Sequence, residues 1–103
     1  MHPAIREKRD EIVLACRRFN VARLDLFGSG ARNDDFDIAA SDADFLVAFP
    51  PGTAAGAYVD LKETFEQILG RRVDLVDRQA IETSRNYIRR RHILSQAEPF
   101  YVA

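Results

Sequence analysis

Between residues 4 and 19, the apolar positions Ile5, Ile12, Ala15, Cys16 and Phe19 recur at steps of three, four or seven, with Arg and Glu between them. That period predicts an amphipathic helix, which Pro3 can open and Asn20 can end. From residue 21 the pattern changes. Val21-Ala22-Arg23-Leu24-Asp25-Leu26-Phe27 reads as a strand that stops at Gly28-Ser29-Gly30. Ala43-Asp44-Phe45-Leu46-Val47-Ala48-Phe49 reads as a second strand, closed by Pro50-Pro51-Gly52. Residues 30–40, rich in Asp and carrying Asn33, read as the loop between them. Tyr58, Leu61, Phe65, Ile68 and Leu69 form one face of a helix over 57–69, and Gly70 supplies its stop. Residues 72–76 suit a third short strand and 82–95 a last helix. The apolar tail Pro99-Phe100-Tyr101-Val102-Ala103 is expected to pack on the domain or on a partner.

The predicted order is α-β-β-α-β-α. The link between the first two strands is too short for a crossover helix, which makes them antiparallel neighbours. The expected fold is α/β in the α+β sense, a small mixed sheet flanked by helices.

Composition adjusts this picture only at its edges. A chain of 103 residues predicts a single domain over 1–103. That size leaves no room for a separate acceptor domain, so a large substrate is expected to be held partly by another chain. The net charge of −1 gives no basic excess and argues against direct nucleic-acid binding, although Arg89-Arg90-Arg91 is a local basic run. Cys16, the one cysteine, excludes an internal disulfide and reads as a buried small hydrophobe, which fits a reducing cytoplasm. No apolar run approaches the ~18 residues of a membrane span, and the N-terminus lacks an apolar signal core.

Three carboxylates interrupt apolar strands. Asp42 and Asp44 flank Ala43, so they share one strand face roughly 7 Å apart at the backbone. Asp74, between Val73 and Leu75, can join that face if the third strand lies beside the second. Unpaired, three such carboxylates would repel one another, and divalent cations remove that penalty. Magnesium is the expected ion, because it combines carboxylates with substrate phosphates. A pair of ions ~4 Å apart is the arrangement of two-metal phosphoryl transfer. Gly28-Ser29-Gly30 directly follows the first strand, where successive backbone N–H groups can cradle an anion. The Ser29 hydroxyl and Arg32 are candidate phosphate contacts. Each piece alone has a plainer reading as a turn, a solvated Asp pair or an edge-strand acid. Asp34, Asp35 and Asp37 read as solvated loop acids, and Asp25 is assigned no role.

The combination is more specific. Phe-Gly-Ser-x-Ala-Arg ending a strand, then Ser-Asp-x-Asp-Phe-Leu-Val, then an isolated Val-Asp-Leu-Val, resembles the DNA polymerase β-like nucleotidyltransferase superfamily. Within it the chain is similar to the minimal nucleotidyltransferases, from about Val21 to Asp77. The resemblance implies that Gly28 and Ser29 hold the triphosphate of ATP, that Asp42 and Asp44 bind two Mg2+ ions, and that Asp74 binds the catalytic one. It further implies a HEPN-domain partner, an RNase toxin that the chain neutralises as an antitoxin by transferring AMP to a tyrosine. Two departures from the family pattern are Asn33 in place of the usual Gly and a longer loop between Ser29 and Asp42.

Three rival readings stay open at this point. A small-molecule nucleotidyltransferase of the aminoglycoside type shares every motif but usually has a second helical domain. A catalytically silent antitoxin would act by contact alone. Arg85-Asn86 followed by His92 superficially matches a HEPN nuclease motif, but the surrounding chain reads as α/β, so Arg85 and Arg89–Arg91 are expected to form a solvated or partner-facing basic patch, with His92 an ordinary helix residue.

Overall fold

The computed structural model describes residues 3–28 and 43–103. Two short helices open the chain, α1 (Pro3–Arg6) and α2 (Arg9–Arg18), followed by strands β1 (Arg23–Phe27) and β2 (Ala43–Ala48). Helix α3 (Ala55–Leu69), strand β3 (Val73–Asp77), helices α4 (Arg78–Glu82) and α5 (Tyr87–Gln96) and strand β4 (Glu98–Val102) complete it. The sheet order is β3-β2-β1-β4. β1 runs antiparallel to β2 and to β4, whereas β2 and β3 are parallel, joined by the α3 crossover that such a pairing requires. The mixed sheet with helices against it is the architecture expected from the sequence.

Strand alternation divides the sheet into two faces. Leu24, Leu26, Ala43, Phe45, Val47, Val73 and Leu75 meet Ile5, Ile12, Ala15 and Cys16 of α1 and α2, and Leu61 and Phe65 of α3. Phe45 centres this core, its ring 5.4 Å from that of Phe65 and 5.9 Å, edge-on, from that of Phe100. The opposite face carries a smaller cluster of Phe27 and Leu46 with Ile81 of α4 and Ile93 of α5.

Turn chemistry sets the element ends. Gly70 closes α3 in the left-handed region at φ 66°, its N–H bonded to the Glu66 carbonyl, and Asn20 turns the chain after α2 at φ 57°. Two expectations are corrected. The first helix is interrupted at Glu7-Lys8, where the Lys8 N–H bonds to the Ile5 carbonyl and tightens the turn. The last helix, expected over 82–95, begins only at Tyr87, and the separate helix α4 precedes it, because Thr83, Ser84 and Asn86 satisfy backbone groups with their own side chains: the Thr83 hydroxyl donates to the Gln79 carbonyl, Ser84 accepts from the Asn86 N–H, and Asn86 caps α5. The apolar tail packs on the domain, as expected, and does so as a fourth strand. Its outer edge is covered by Arg9, which donates to the Phe100 carbonyl at 3.3 Å and lies 5.2 Å over the Phe100 ring.

Candidate active site

β1 ends at Phe27, which lies opposite Asp44 in the antiparallel register, and Asp44 lies opposite Asp74 in the parallel one. Laterally paired residues of a sheet project to the same side about 5 Å apart, so the two carboxylates stand together. Asp44 is half-buried, whereas Asp74, on the edge strand, is exposed. The sequence left the position of Asp74 conditional on this pairing.

Gly28 completes the corner. Its φ is +72°, a conformation that side chains disfavour, and a Cβ placed there would lie 2.5 Å from the Asp44 carboxylate oxygen Oδ2. A side chain at Gly28 would therefore adopt a strained φ and push the Asp44 carboxylate aside. Ser29, Arg32 and Asp42 lie outside the described residues, as do Asn33, Asp34, Asp35 and Asp37. Among the described residues no group of three His, Cys, Asp or Glu side chains is assembled. Two adjacent carboxylates against a side-chain-free turn nonetheless suit a hard cation that brings its own phosphate ligands, which is magnesium chemistry.

The residue that sequence reasoning left without a role is Asp25. It is 1% exposed, on the same sheet face as Phe27 and Asp44. Arg23 grips it in a fork, Nε to Oδ1 at 2.7 Å and Nη2 to Oδ2 at 3.1 Å. Arg78 reaches it from α4, Nη1 at 3.1 Å from Oδ2, a contact ionic rather than directional because that nitrogen is not aligned for a hydrogen bond. Arg78 also pairs with Glu82 at 3.0 Å. Asp25 thus ties α4 to the middle of the sheet. The Arg23-Asp25-Phe27 alternation in the sequence was the available signal.

A cavity of about 400 Å³, lined by Phe49, Pro50, Tyr58, Asp77 and Gln79 among others, opens at the other ends of β2 and β3. It is three strand positions, about 10 Å, from Asp74, and the chemistry belongs with the carboxylates, not with this hollow. Tyr58 is pushed above its ordinary pKa first by burial and then by the charges of Asp74 and Asp77. Cys16, fully buried, is pushed up to about 12 by desolvation and is no nucleophile. Asn86, half of the nuclease-like pair, is a helix cap, and Arg85 and His92 are exposed.

Comparison with known proteins identifies the family and the fold. The family described as the nucleotidyltransferase domain matches residues 9–96. A candidate protein adenylyltransferase of Methanocaldococcus jannaschii is 35% identical over 77 residues, 75% of this chain and 81% of that protein. A solved candidate minimal nucleotidyltransferase superposes with a TM-score of 0.75 at 32% identity, covering 96% of each chain. A complex of the tri-AMPylated Shewanella oneidensis HEPN toxin with MNT antitoxin matches at a TM-score of 0.64 and 18% identity, over 95% of this chain and 72% of that one. A toxin–antitoxin complex with AMP-PNP matches at 0.68 and 20%, over 92% and 73%. At those identities the last two likenesses are of fold alone. The chain belongs to the nucleotidyltransferase domain family, and it is a nucleotidyltransferase of the minimal kind.

Proposed function

We propose that this chain, acting as a single domain over residues 1–103, is an antitoxin that transfers AMP from ATP to a tyrosine hydroxyl of a cognate HEPN RNase toxin and so neutralises it. The observation that carries the reading is the lateral pairing of Asp44 with Asp74 beside the side-chain-free strand end at Gly28. The Methanocaldococcus jannaschii relative, named for protein adenylylation, supports the acceptor class. The toxin–antitoxin complexes that share the fold support the partner.

In this reading Asp42, Asp44 and Asp74 hold two Mg2+ ions, which supply charge neutralisation for the attacking and leaving oxygens. Gly28 lets the triphosphate approach the backbone, with Ser29 and Arg32 as further phosphate contacts. The acceptor oxygen forms a bond to the α-phosphorus in line with the departing pyrophosphate, whose bond to that phosphorus breaks. Asp74 is the exposed carboxylate on the edge strand, where an acceptor hydroxyl on another protein can reach it and give up its proton. The more enclosed Asp44 orients the nucleotide.

The test is to co-express the chain with the protein encoded beside its gene and measure the intact mass of that protein. A gain of one or more AMP units is expected, lost when Asp42 and Asp44 are both changed to Ala. A bound, silenced but unmodified partner would establish an antitoxin acting by contact alone. Modification only of a small hydroxylated acceptor would establish a small-molecule transferase.

A further inference from the structure

Helix α5 has an inner and an outer side. Inside, Ile93 is buried against Phe27, Leu46 and Ile81, with Leu94 and Ala97 beside it. Outside, Tyr87, Ile88, Arg91, His92 and Ser95 fall at i, i+1, i+4, i+5 and i+8, one continuous stripe. They line a shallow groove of about 340 Å³. Ile88 is 69% exposed and Tyr87 60%, and no other large hydrophobic side chain among the described residues is more exposed than Ile88.

Among the described residues, the charge around this stripe, on the guanidinium groups of Arg85, Arg89 and Arg91, meets no carboxylate, while Arg90 folds back onto the Ser84 carbonyl. Arg89 and Arg90 also sit in the first turn of α5, where no acid accompanies them. That is the positive end of the helix dipole, so cations there oppose helix formation. Local stability does not explain the run. An external anionic surface does.

We infer that the outer stripe of α5 is the surface on which the acceptor protein docks, through a patch on that protein with an apolar centre and an acidic rim. The inference rests on the protein-adenylylation reading and specifies its substrate recognition. Ile88 and Tyr87 supply the apolar anchor, and Arg85, Arg89 and Arg91 the charge complement. A nucleic acid is the poorer occupant, because an exposed Ile offers a polyanion nothing and the chain's net charge of −1 provides no long-range attraction. The position also serves the chemistry. α5 rests on Phe27, which precedes Gly28, shares a sheet face with Asp25 and is the register partner of Asp44, so a protein seated on α5 lies on the carboxylate face of the sheet.

The experiment takes a purified HEPN-domain protein that co-purifies with the chain as the binding partner, and measures its binding to wild type, Ile88→Asp, Arg91→Glu and, as a control on the opposite sheet face, Leu14→Asp, itself 61% exposed. Ile88→Asp and Arg91→Glu are each expected to weaken binding roughly tenfold or more. Affinity for Mg-ATP and thermal midpoint stay at wild-type values. With Arg91→Glu the salt dependence of binding becomes shallower, and in transfer assays KM for the HEPN protein rises while kcat holds. Leu14→Asp is expected to bind normally. Loss with Leu14→Asp but not with Ile88→Asp would overturn the assignment and place docking on the α2–α3 side. Unaltered HEPN binding alongside lost binding of a short single-stranded RNA would make α5 an RNA surface instead. If wild type neither binds nor modifies the HEPN protein, the functional reading itself fails, an outcome separate from either of these.

Discussion

Asp44 and Phe45 are adjacent in sequence and face opposite sides of one strand, and the two sides of the sheet are built on different rules. Under Phe45 lies a core closed by three helices and containing, among the described residues, no buried charge. Under Asp44 the apolar cluster is small, and charges flank it: Asp25 with two arginines along β1, and Asp44 with Asp74 at the strand ends. The first face can afford only close packing, because a void there has no water to fill it. The second tolerates charge, since its strand ends reach solvent. Stability is concentrated on one face and chemistry on the other, so neighbouring substitutions should have separable effects.

The sharpest division follows from these two residues. Asp44→Asn should reduce nucleotidyl transfer by roughly a thousandfold, equivalent to several kcal/mol of transition-state stabilisation. Its urea midpoint should match wild type. Phe45→Ala should do the reverse, losing about 3–5 kcal/mol of stability through the cavity left between Phe65 and Phe100, with transfer per folded molecule retained. Denaturant titration and steady-state transfer assays on both variants check the pair. An Asp44→Asn protein that unfolded would merge the two faces into one structural unit.

Much of this division was legible in the chain. β1 and β2 are apolar runs stopped by Gly28 and Pro50, β3 is a short apolar run after Gly70, and Asp44 and Asp74 stand out as interruptions. What the chain did not display was non-local. That Asp74 stands beside Asp44 depends on parallel register across the α3 crossover. That Asp25 is held depends on Arg78, which local pattern cannot connect to β1. β4 was hidden because Pro99 demotes a run as a strand, and only its position on the sheet edge, at a register shift, makes Pro tolerable there. The break between α4 and α5 was hidden because Thr83, Ser84 and Asn86 compete for backbone groups over a span that periodicity alone reads as helix. At Gly28 the sequence suggested a phosphate turn, and the structure adds a steric reason in the Asp44 carboxylate.

That steric reason gives an intermediate effect. Gly28→Ala places a methyl group against Asp44 Oδ2 and imposes an unfavourable φ, so stability should fall by about 1–2 kcal/mol. Displacing the carboxylate should lower transfer by roughly a hundredfold. It would be the one variant to affect both faces' properties together, and a Gly28→Ala enzyme of wild-type activity would remove the close approach from the account. Asp25→Ala lies on the chemical face yet should act on stability alone, by about 2 kcal/mol, since it leaves Arg78 without its buried partner while Arg23 is partly solvated. Comparing its melting curve with its Mg-ATP affinity separates the two possibilities.

The smallest effect belongs to Cys16, deep in the packing face. Its thiol is pushed from an ordinary 9.0 to about 12 by burial, so the folded chain holds the proton that the unfolded chain releases first. Between pH 9 and 12 the unfolded state therefore binds fewer protons than the native one. Stability from this group is complete below pH 9 and declines as pH rises through that window. By pH 10 the decline should be about 1.4 kcal/mol. Cys16→Ala should lose about 1 kcal/mol at pH 7 from the sulfur's packing, and above pH 9 it should fall less steeply than wild type. Urea titrations of both proteins at pH 8 and 10 isolate the thiol, because tyrosines and lysines titrate equally in each. Parallel pH slopes would mean that the thiol is hydrated in the native state, and that the packing face is less dry than its geometry requires.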